Sequence, residues 1–284
     1  MEIVLAKTAG FCFGVKRAVE TVYNEIEKGS RIYTYGPIIH NEVVVGDLER
    51  KGVTVINDIS EIDSISSGTV IIRSHGVSKD VIRRIEENKL SIVDATCPFV
   101  KKIHRIVEQE STDGNRVIVI GSKNHPEVAG IIGWCLDDNP AIVIESEEEA
   151  IALDIPIEDK ITIVSQTTFR HSKFQELVEI IAKKGYDVNV VNTICNATAE
   201  RQEEARKIAS SVDMMIVIGD SKSSNTQKLY EICSRECKFT QYVQTKDDLE
   251  TGSYGPLSRV GITAGASTPN KIIEEVQKYV RIIF

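Results

Sequence analysis

Three of the six cysteines in this 284-residue chain, Cys12, Cys97 and Cys195, hold matching places in a hidden repeat. From each of them the glycine that ends the next apolar run lies 24 residues on, at Gly36, Gly121 and Gly219. The lead-in segments agree, because Ile3-Val4-Leu5 runs on to Thr8, Ser91-Ile92-Val93 to Thr96, and Val188 to Val191 on to Thr193. In the same register, offset 28 holds His40, His125 and Ser223, and offset 30 holds Glu42, Glu127 and Asn225. Thiolates are soft metal ligands, imidazoles and hydroxyls bind phosphate oxygens, and a carboxyl shielded from water can deliver a proton. No CxxC or other compact ligand motif is present, so any metal site must be assembled from distant parts of the chain. The plain alternative is a duplication relic in which the three cysteines are only small buried residues. Cys135, Cys233 and Cys237 fall outside the repeat and read as bystanders.

Each third of the chain then adds a strand that ends in small polar residues and opens a helix: Val70 to Gly76, Ile161 to Thr168, and Val260 to Pro269. Helix N-termini carry unpaired N–H groups and the positive end of the helix dipole, which suits anions. His40, His75, Ser223, Ser224, Asn225 and Ser267 could therefore cradle phosphate without a Walker motif, which the chain lacks. Taken singly, Ser267, Thr268 and Thr168 read as helix caps, and His104 and His171 as solvated surface residues. Glu127 and Glu42 hold equivalent places, and the repeat does not choose between them as proton donor.

The elements that must position these groups recur in one order: strand, cysteine, helix, strand, glycine. Helices are expected over 15–26, 99–109 and 198–209, with strands at 31–35, 117–120 and 214–218. Strands alternating with helices imply parallel sheets, whose functional groups gather at the carboxyl ends of the strands. We expect three similar α/β lobes with mainly parallel sheets in a pseudo-threefold arrangement around a metal centre. Their boundaries are 1–96, 97–194 and 195–284, with the option that the N-terminal strand joins the third lobe's sheet. The formal charge of −8 argues against a general nucleic-acid or anionic-membrane surface. No stretch has the length of a membrane span or a signal peptide, so a cytoplasmic protein with reduced thiols is expected. Three thiolates fit either zinc with an open fourth position or a 4Fe–4S cluster with one open iron, and substrate would complete the coordination in both.

Gly10-Phe11-Cys12-Phe13-Gly14, His40-Asn41, Ser74-His75-Gly76, Asp94-Ala95-Thr96-Cys97-Pro98, Gly121 to Val128, Ser165-Gln166-Thr167-Thr168, Ser223-Ser224-Asn225 and Thr263 to Ser267 together resemble the 4-hydroxy-3-methylbut-2-enyl diphosphate reductases. The resemblance covers essentially the whole chain. It implies an iron–sulfur oxidoreductase at the last step of non-mevalonate isoprenoid biosynthesis. The reaction is reductive dehydroxylation to isopentenyl and dimethylallyl diphosphate. It implies one 4Fe–4S cluster on Cys12, Cys97 and Cys195, with Glu127 as proton donor and Thr167 and His125 completing a hydrogen-bond relay. By resemblance, His40, His75, His125, Ser223, Ser224, Asn225 and Ser267 bind the diphosphate. A ferredoxin or flavodoxin type electron donor is the expected partner, since no nicotinamide fingerprint is present. Readings from other classes are a zinc-dependent hydrolase of a phosphorylated metabolite and a non-catalytic iron–sulfur sensor, separable by colour, labile sulfide and tolerance of Glu127→Gln.

Overall fold

In a computed structural model of the chain, residues 1–252 and 257–284 are described. The first elements are β1 (Glu2–Leu5), α1 (Phe13–Glu27), β2 (Ile32–Tyr35), α2 (Glu42–Arg50), β3 (Val53–Ile56), β4 (Thr69–Ile72), α3 (Lys79–Glu87) and β5 (Ser91–Asp94). The next are α4 (Pro98–Thr112), β6 (Arg116–Ile120), α5 (Pro126–Ile132), β7 (Ile142–Ile144), α6 (Glu147–Ala152), β8 (Lys160–Ser165), α7 (His171–Ala182) and β9 (Asp187–Val190). The chain ends with α8 (Asn196–Ala209), β10 (Met214–Ile218), α9 (Ser224–Glu236), β11 (Thr240–Val243), β12 (Arg259–Ala264) and α10 (Asn270–Ile283).

These strands form three four-stranded sheets, ordered β3-β2-β4-β5, β7-β6-β8-β9 and β11-β10-β12-β1. The order is the same each time once β1 is counted as the last strand of the third sheet. Every pair is parallel, with registers such as Ile32↔Thr69, Ile118↔Ile163 and Ile216↔Ile262 across the central pairs. The three α/β repeats expected from the spacing are therefore present, and β1 pairs with β12 through Glu2↔Arg259 to Leu5↔Ile262.

Central strands of a parallel sheet are covered on both faces, so they read as unbroken apolar runs. Met214-Met215-Ile216-Val217-Ile218 and Thr69-Val70-Ile71-Ile72 are buried throughout. The chain divides into two compact units. One comprises residues 1–16, 39–46 and 196–284, and its core joins Met214, Ile216 and Ile262 to Ile272, Ile273 and Val276 of α10. The other comprises 17–38 and 47–195 and holds the first two sheets, each with its own core, around Ile72 and Ile85 and around Ile163 and Leu177. Each large aliphatic side chain removed from water there contributes about 1.5 to 3 kcal/mol.

The repeat glycines share one backbone role. The N–H groups of Gly36, Gly121 and Gly219 donate to the carbonyls of Ile56, Ile144 and Val243, the last residues of their neighbouring strands, at 2.6, 3.0 and 2.9 Å. Gly36 turns there with a φ of 70°, which favours glycine. A Cβ at Gly121 would lie 2.8 Å from Val128, so a side chain would force the loop away from α5. Among the described residues no helix is long and apolar enough to cross a membrane.

Candidate metal and substrate site

Each repeat cysteine ends the loop after a sheet's last strand and immediately precedes a helix: Cys12 before α1, Cys97 before α4 and Cys195 before α8. Their backbone N–H groups make one equivalent bond apiece. Cys12 donates to the Ala266 carbonyl at 3.2 Å, Cys97 to that of Ser74 at 3.0 Å and Cys195 to that of Thr167 at 3.0 Å. All three acceptors lie just past the third strand of the respective sheet, β12, β4 or β8. The Cys12 and Cys97 carbonyls accept from Lys16 and Lys101, closing the first turn of their helices. All three cysteines are half-buried, and none is in a disulfide.

The other cysteines differ in the way their position outside the repeat suggests. Cys135, Cys233 and Cys237 are buried free thiols. Cys233 Sγ donates to the Ala205 carbonyl at 3.9 Å, and burial pushes its thiol up to about 12. Burial likewise raises the Cys135 thiol. Cys135 and Cys233 thus stay protonated and act as small apolar residues.

Within the unit of residues 17–38 and 47–195 stand Cys97, Cys195, His75, His125, Glu127 and Thr167. Glu127 lies in the first turn of α5 and is 3% exposed. Thr167 follows β8 and donates to both of its carboxylate oxygens, from N–H to Oε1 at 2.5 Å and from Oγ1 to Oε2 at 2.7 Å. Burial raises the Glu127 carboxyl to about 7 against the pull of those two bonds. His125 is the N-cap of α5, and its Nδ1 accepts from the Glu127 N–H at 3.1 Å. A neutral imidazole that accepts at Nδ1 carries its proton on Nε2, so His125 is set to donate from the other edge. The His75 ring meets that of His125 edge-on, with centroids 5.5 Å apart.

The unit of residues 1–16, 39–46 and 196–284 holds Cys12, His40, Ser223, Ser224, Asn225 and Ser267. Ser223 is the N-cap of the thirteen-residue α9 and accepts from the Thr226 N–H at 3.4 Å. Ser267 Oγ donates to Ser223 Oγ at 3.3 Å, joining the loop after β12 to the start of α9. Asn225 is buried, and its Oδ1 and Nδ2 have no hydrogen-bond partner among the described residues. A buried amide with unmet hydrogen-bonding capacity fits a polar ligand. His40 precedes Asn41, whose Oδ1 accepts from the Val44 N–H at 3.1 Å in the first turn of α2.

The two carboxyls that hold equivalent places in the repeat differ in burial. Glu42 is exposed and paired with Lys222 at 2.9 Å, which holds its carboxyl below the usual range. Its twin Glu127 is enclosed and poised near neutrality.

Two simple readings need correction. Ser267, Thr268 and Thr168 cap no helix, because the N-cap positions of α10 and α7 are Pro269 and Arg170. Ser267 and Thr268 instead tie loops together, Thr268 Oγ1 donating to the Ile218 carbonyl at 3.1 Å. Thr168 Oγ1 accepts from Gln166 Nε2 at 2.8 Å. His104 is no solvated surface residue. It is 4% exposed and stacked on Trp134 with centroids 5.0 Å apart, and burial lowers it to about 4. It lies beneath Gly76, where a Cβ would come within 2.6 Å of its ring. Its place on the buried stripe of α4, with Val100, Ile103 and Val107, was the available signal. Gln166 was also missed as a loop-positioning residue: its Oε1 accepts from the Ser122 N–H at 3.1 Å, at the start of the His125 loop.

Comparison with known proteins gives one consistent result. The family model described as LytB protein matches residues 3–281. A 4-hydroxy-3-methylbut-2-enyl diphosphate reductase from Caldanaerobacter subterraneus subsp. tengcongensis is 46% identical over 97% of this chain and 95% of its own length. One from Clostridioides difficile is 45% identical over 97% of this chain and 98% of its own. Among solved structures, the E-1-hydroxy-2-methyl-but-2-enyl-4-diphosphate reductase of Plasmodium falciparum superimposes with a TM-score of 0.91 at 30% identity, over 99% of this chain and 87% of that one. A second structure, of (E)-4-hydroxy-3-methyl-but-2-enyl diphosphate reductase, terminal enzyme of the non-mevalonate pathway, is 40% identical over the full length of both chains with a TM-score of 0.69.

Proposed function

This chain belongs to the LytB protein family, that of the 4-hydroxy-3-methylbut-2-enyl diphosphate reductases, and we propose that it catalyses their reaction. The allylic hydroxyl of 4-hydroxy-3-methylbut-2-enyl diphosphate is lost as water. Two electrons and two protons are consumed, and isopentenyl and dimethylallyl diphosphate form. The observation that carries this reading is Glu127, a fully enclosed carboxyl poised near pH 7 and gripped at both oxygens by Thr167. A group that must protonate a poor leaving hydroxyl needs a pKa near the working pH and a fixed aim.

Cys12, Cys97 and Cys195 are the metal ligands in this reading. Three half-buried cysteines, each immediately before a helix and none in a disulfide, suit a metal centre, whereas Cys135, Cys233 and Cys237 are buried. The group they would hold is one 4Fe–4S cluster with three cysteine ligands and one open iron, and when bound it supplies the electrons and Lewis acidity for the reaction. A small ferredoxin or flavodoxin type donor would recharge it, with the reaction in the cytoplasm.

The remaining residues bind and orient. His40, His75, His125, Ser223, Ser224, Asn225 and Ser267 take the diphosphate. The N-terminus of α9 supports this through its dipole and the unmet amide of Asn225. Thr167 holds the Glu127 carboxyl in place, and the Nε2–H of His125 donates to substrate oxygen. Burial of Glu127 excludes bulk water from the proton donor. We also assign the three lobes to residues 1–96, 97–194 and 195–284, with β1 lent to the third sheet.

The test is anaerobic oxidation of a reduced viologen by the reconstituted protein, with and without 4-hydroxy-3-methylbut-2-enyl diphosphate. Oxidation that depends on substrate, by a brown protein, is the expected result. A chain that takes up no iron and sulfide and oxidises no dye refutes the proposal.

A further inference from the structure

The loops that end in Cys12 and Cys97 are not held by sheet pairing alone. Between Leu5, the last residue of β1, and Cys12 lie six residues, of which Ala6 still bonds to β12, its N–H donating to the Ile262 carbonyl at 2.8 Å. Two side chains of α8 grip this stretch. Arg201 is 4% exposed; its Nη1 donates to the Ala264 carbonyl at 2.6 Å and its Nη2 to the Gly10 carbonyl at 2.9 Å. Glu204 accepts from the N–H groups of Lys7 and Thr8 at 2.8 and 2.9 Å and from Thr8 Oγ1 at 2.6 Å. Gly10 itself turns with a φ of 100°, and a Cβ there would stand 2.7 Å from Asn270 Oδ1. The lead-in to Cys12 is thus tied at Lys7, Thr8 and Gly10, and Arg201 bridges it to the end of β12, two residues before the carbonyl that receives the Cys12 N–H.

The same device recurs at Cys97. Arg17, on α1, donates from Nη1 to the Thr96 carbonyl at 2.9 Å and from Nη2 to that of Asp94 at 3.1 Å. Thr96 is the residue before the cysteine. Arg17 stands five residues after Cys12 and Arg201 six after Cys195, so in each case the helix that opens at one cysteine holds the approach to another. At the third repeat, six residues after Cys97, stands Ile103. It joins the apolar cluster against which Val191, four residues before Cys195, is packed. A guanidinium fork spans two carbonyls at once in a fixed geometry, which an ammonium on a flexible stem does not.

We propose that Arg201 and Arg17 are positioning residues for Cys12 and Cys97 respectively, each fixing the backbone that presents the thiol to the cluster. The proposal rests on the reading of these cysteines as ligands. Neither arginine takes part in the chemistry. Each lowers the freedom of a loop that must offer its sulfur at one point, so that assembling the centre does not first have to order the loop.

The test uses the full-length chain, iron-free and reconstituted, with the rate of iodoacetamide labelling read at each cysteine by mass spectrometry. In the iron-free Arg201→Met protein, Cys12 is labelled about tenfold faster than in the parent while Cys97 is unchanged, the loss of a charge-assisted bond loosening one loop. Arg17→Met gives the converse. Arg201→Lys and Arg17→Lys, milder changes that keep the charge, show the same selectivity, and the reconstituted variants surrender iron to a chelator faster than the parent. Unchanged labelling, or an equal rise at both cysteines, overturns the proposal, and this holds even where the parent takes up iron and sulfide normally. A parent that takes up neither overturns the ligand reading, and with it the cluster-directed role of both arginines.

Discussion

Glu127 and Glu42, twins in the repeat, differ in the environment of one carboxyl, enclosed in the first and exposed beside Lys222 in the second. With a carboxyl near 7 Glu127 is largely protonated below neutrality and ready to give up that proton. Glu127→Gln should lower turnover by about a hundredfold or more while leaving iron content intact, since the amide keeps the shape and loses the acid. Steady-state viologen oxidation beside an iron assay checks this, and a variant with parental turnover would sink the assignment. Stability follows the same group. The folded value of about 7 lies above the ordinary 4.5, so below 4.5 both states are protonated and the contribution is complete. Between 4.5 and 7 only the unfolded chain releases the proton, and stability falls as pH rises, at most by about 1.4 kcal/mol per pH unit. Urea midpoints across that window should therefore flatten in Glu127→Gln. The thiols divide as sharply: Cys97→Ser should abolish normal cluster assembly, whereas Cys233→Ser should leave iron and sulfide content at the parent level. Equal losses in both would remove the distinction drawn from the repeat.

At the scale of the element, helix N-termini do most of the positioning. Cys12, Cys97 and Cys195 precede α1, α4 and α8, His125 caps α5, and Ser223 caps α9. In the proposed reading, each places a ligand or substrate-binding side chain where the backbone already offers positive potential. Ser267 reaches this set through its hydroxyl contact with Ser223. Ser267→Ala should weaken substrate binding by about 1 to 2 kcal/mol, close to tenfold in affinity, with kcat little changed. Calorimetric titration of substrate into the reconstituted variant measures it, and parental affinity would exclude Ser267 from the cradle. The stack of His104 on Trp134 beneath Gly76 belongs to the same scale, because it supports the turn that carries His75.

In the whole molecule, three sheets of one strand order are built from a chain whose first strand completes the last sheet, through the β1–β12 pairing. The cysteines lie at positions 12, 97 and 195, far apart in sequence. In the proposed reading, a centre bonded by all three would tie together segments that the unfolded chain leaves independent, and would stabilise the native state by mass action. Removing the cluster with a chelator under air should lower the melting temperature by several degrees, the shift that about 1 to 2 kcal/mol produces in a domain of this size. Calorimetry before and after removal reads the shift. An unchanged transition would mean that the centre contributes nothing to holding the fold.

The offsets of 24, 28 and 30 residues, with their β-rich lead-ins, were enough to mark the three cysteines, the histidines at 40 and 125 and the strand–helix alternation, because a repeated α/β unit must repeat its turn residues and its apolar runs. Parallel pairing followed from that alternation, since a helical crossover leaves little other choice. The difference between Glu127 and Glu42 was not legible, because it lies in what encloses a carboxyl rather than in its register. Nor was the role of Arg17 and Arg201, whose type at a helical position suggests a solvated face. Arg201 shares its buried stripe with Ala205, Ile208 and Ala209, yet only the folded backbone reveals that the carbonyls of Gly10 and Ala264 wait at its end. Register along the chain is a local property; burial and the partners of a buried charge are set by segments distant in sequence, and these only the tertiary structure decides.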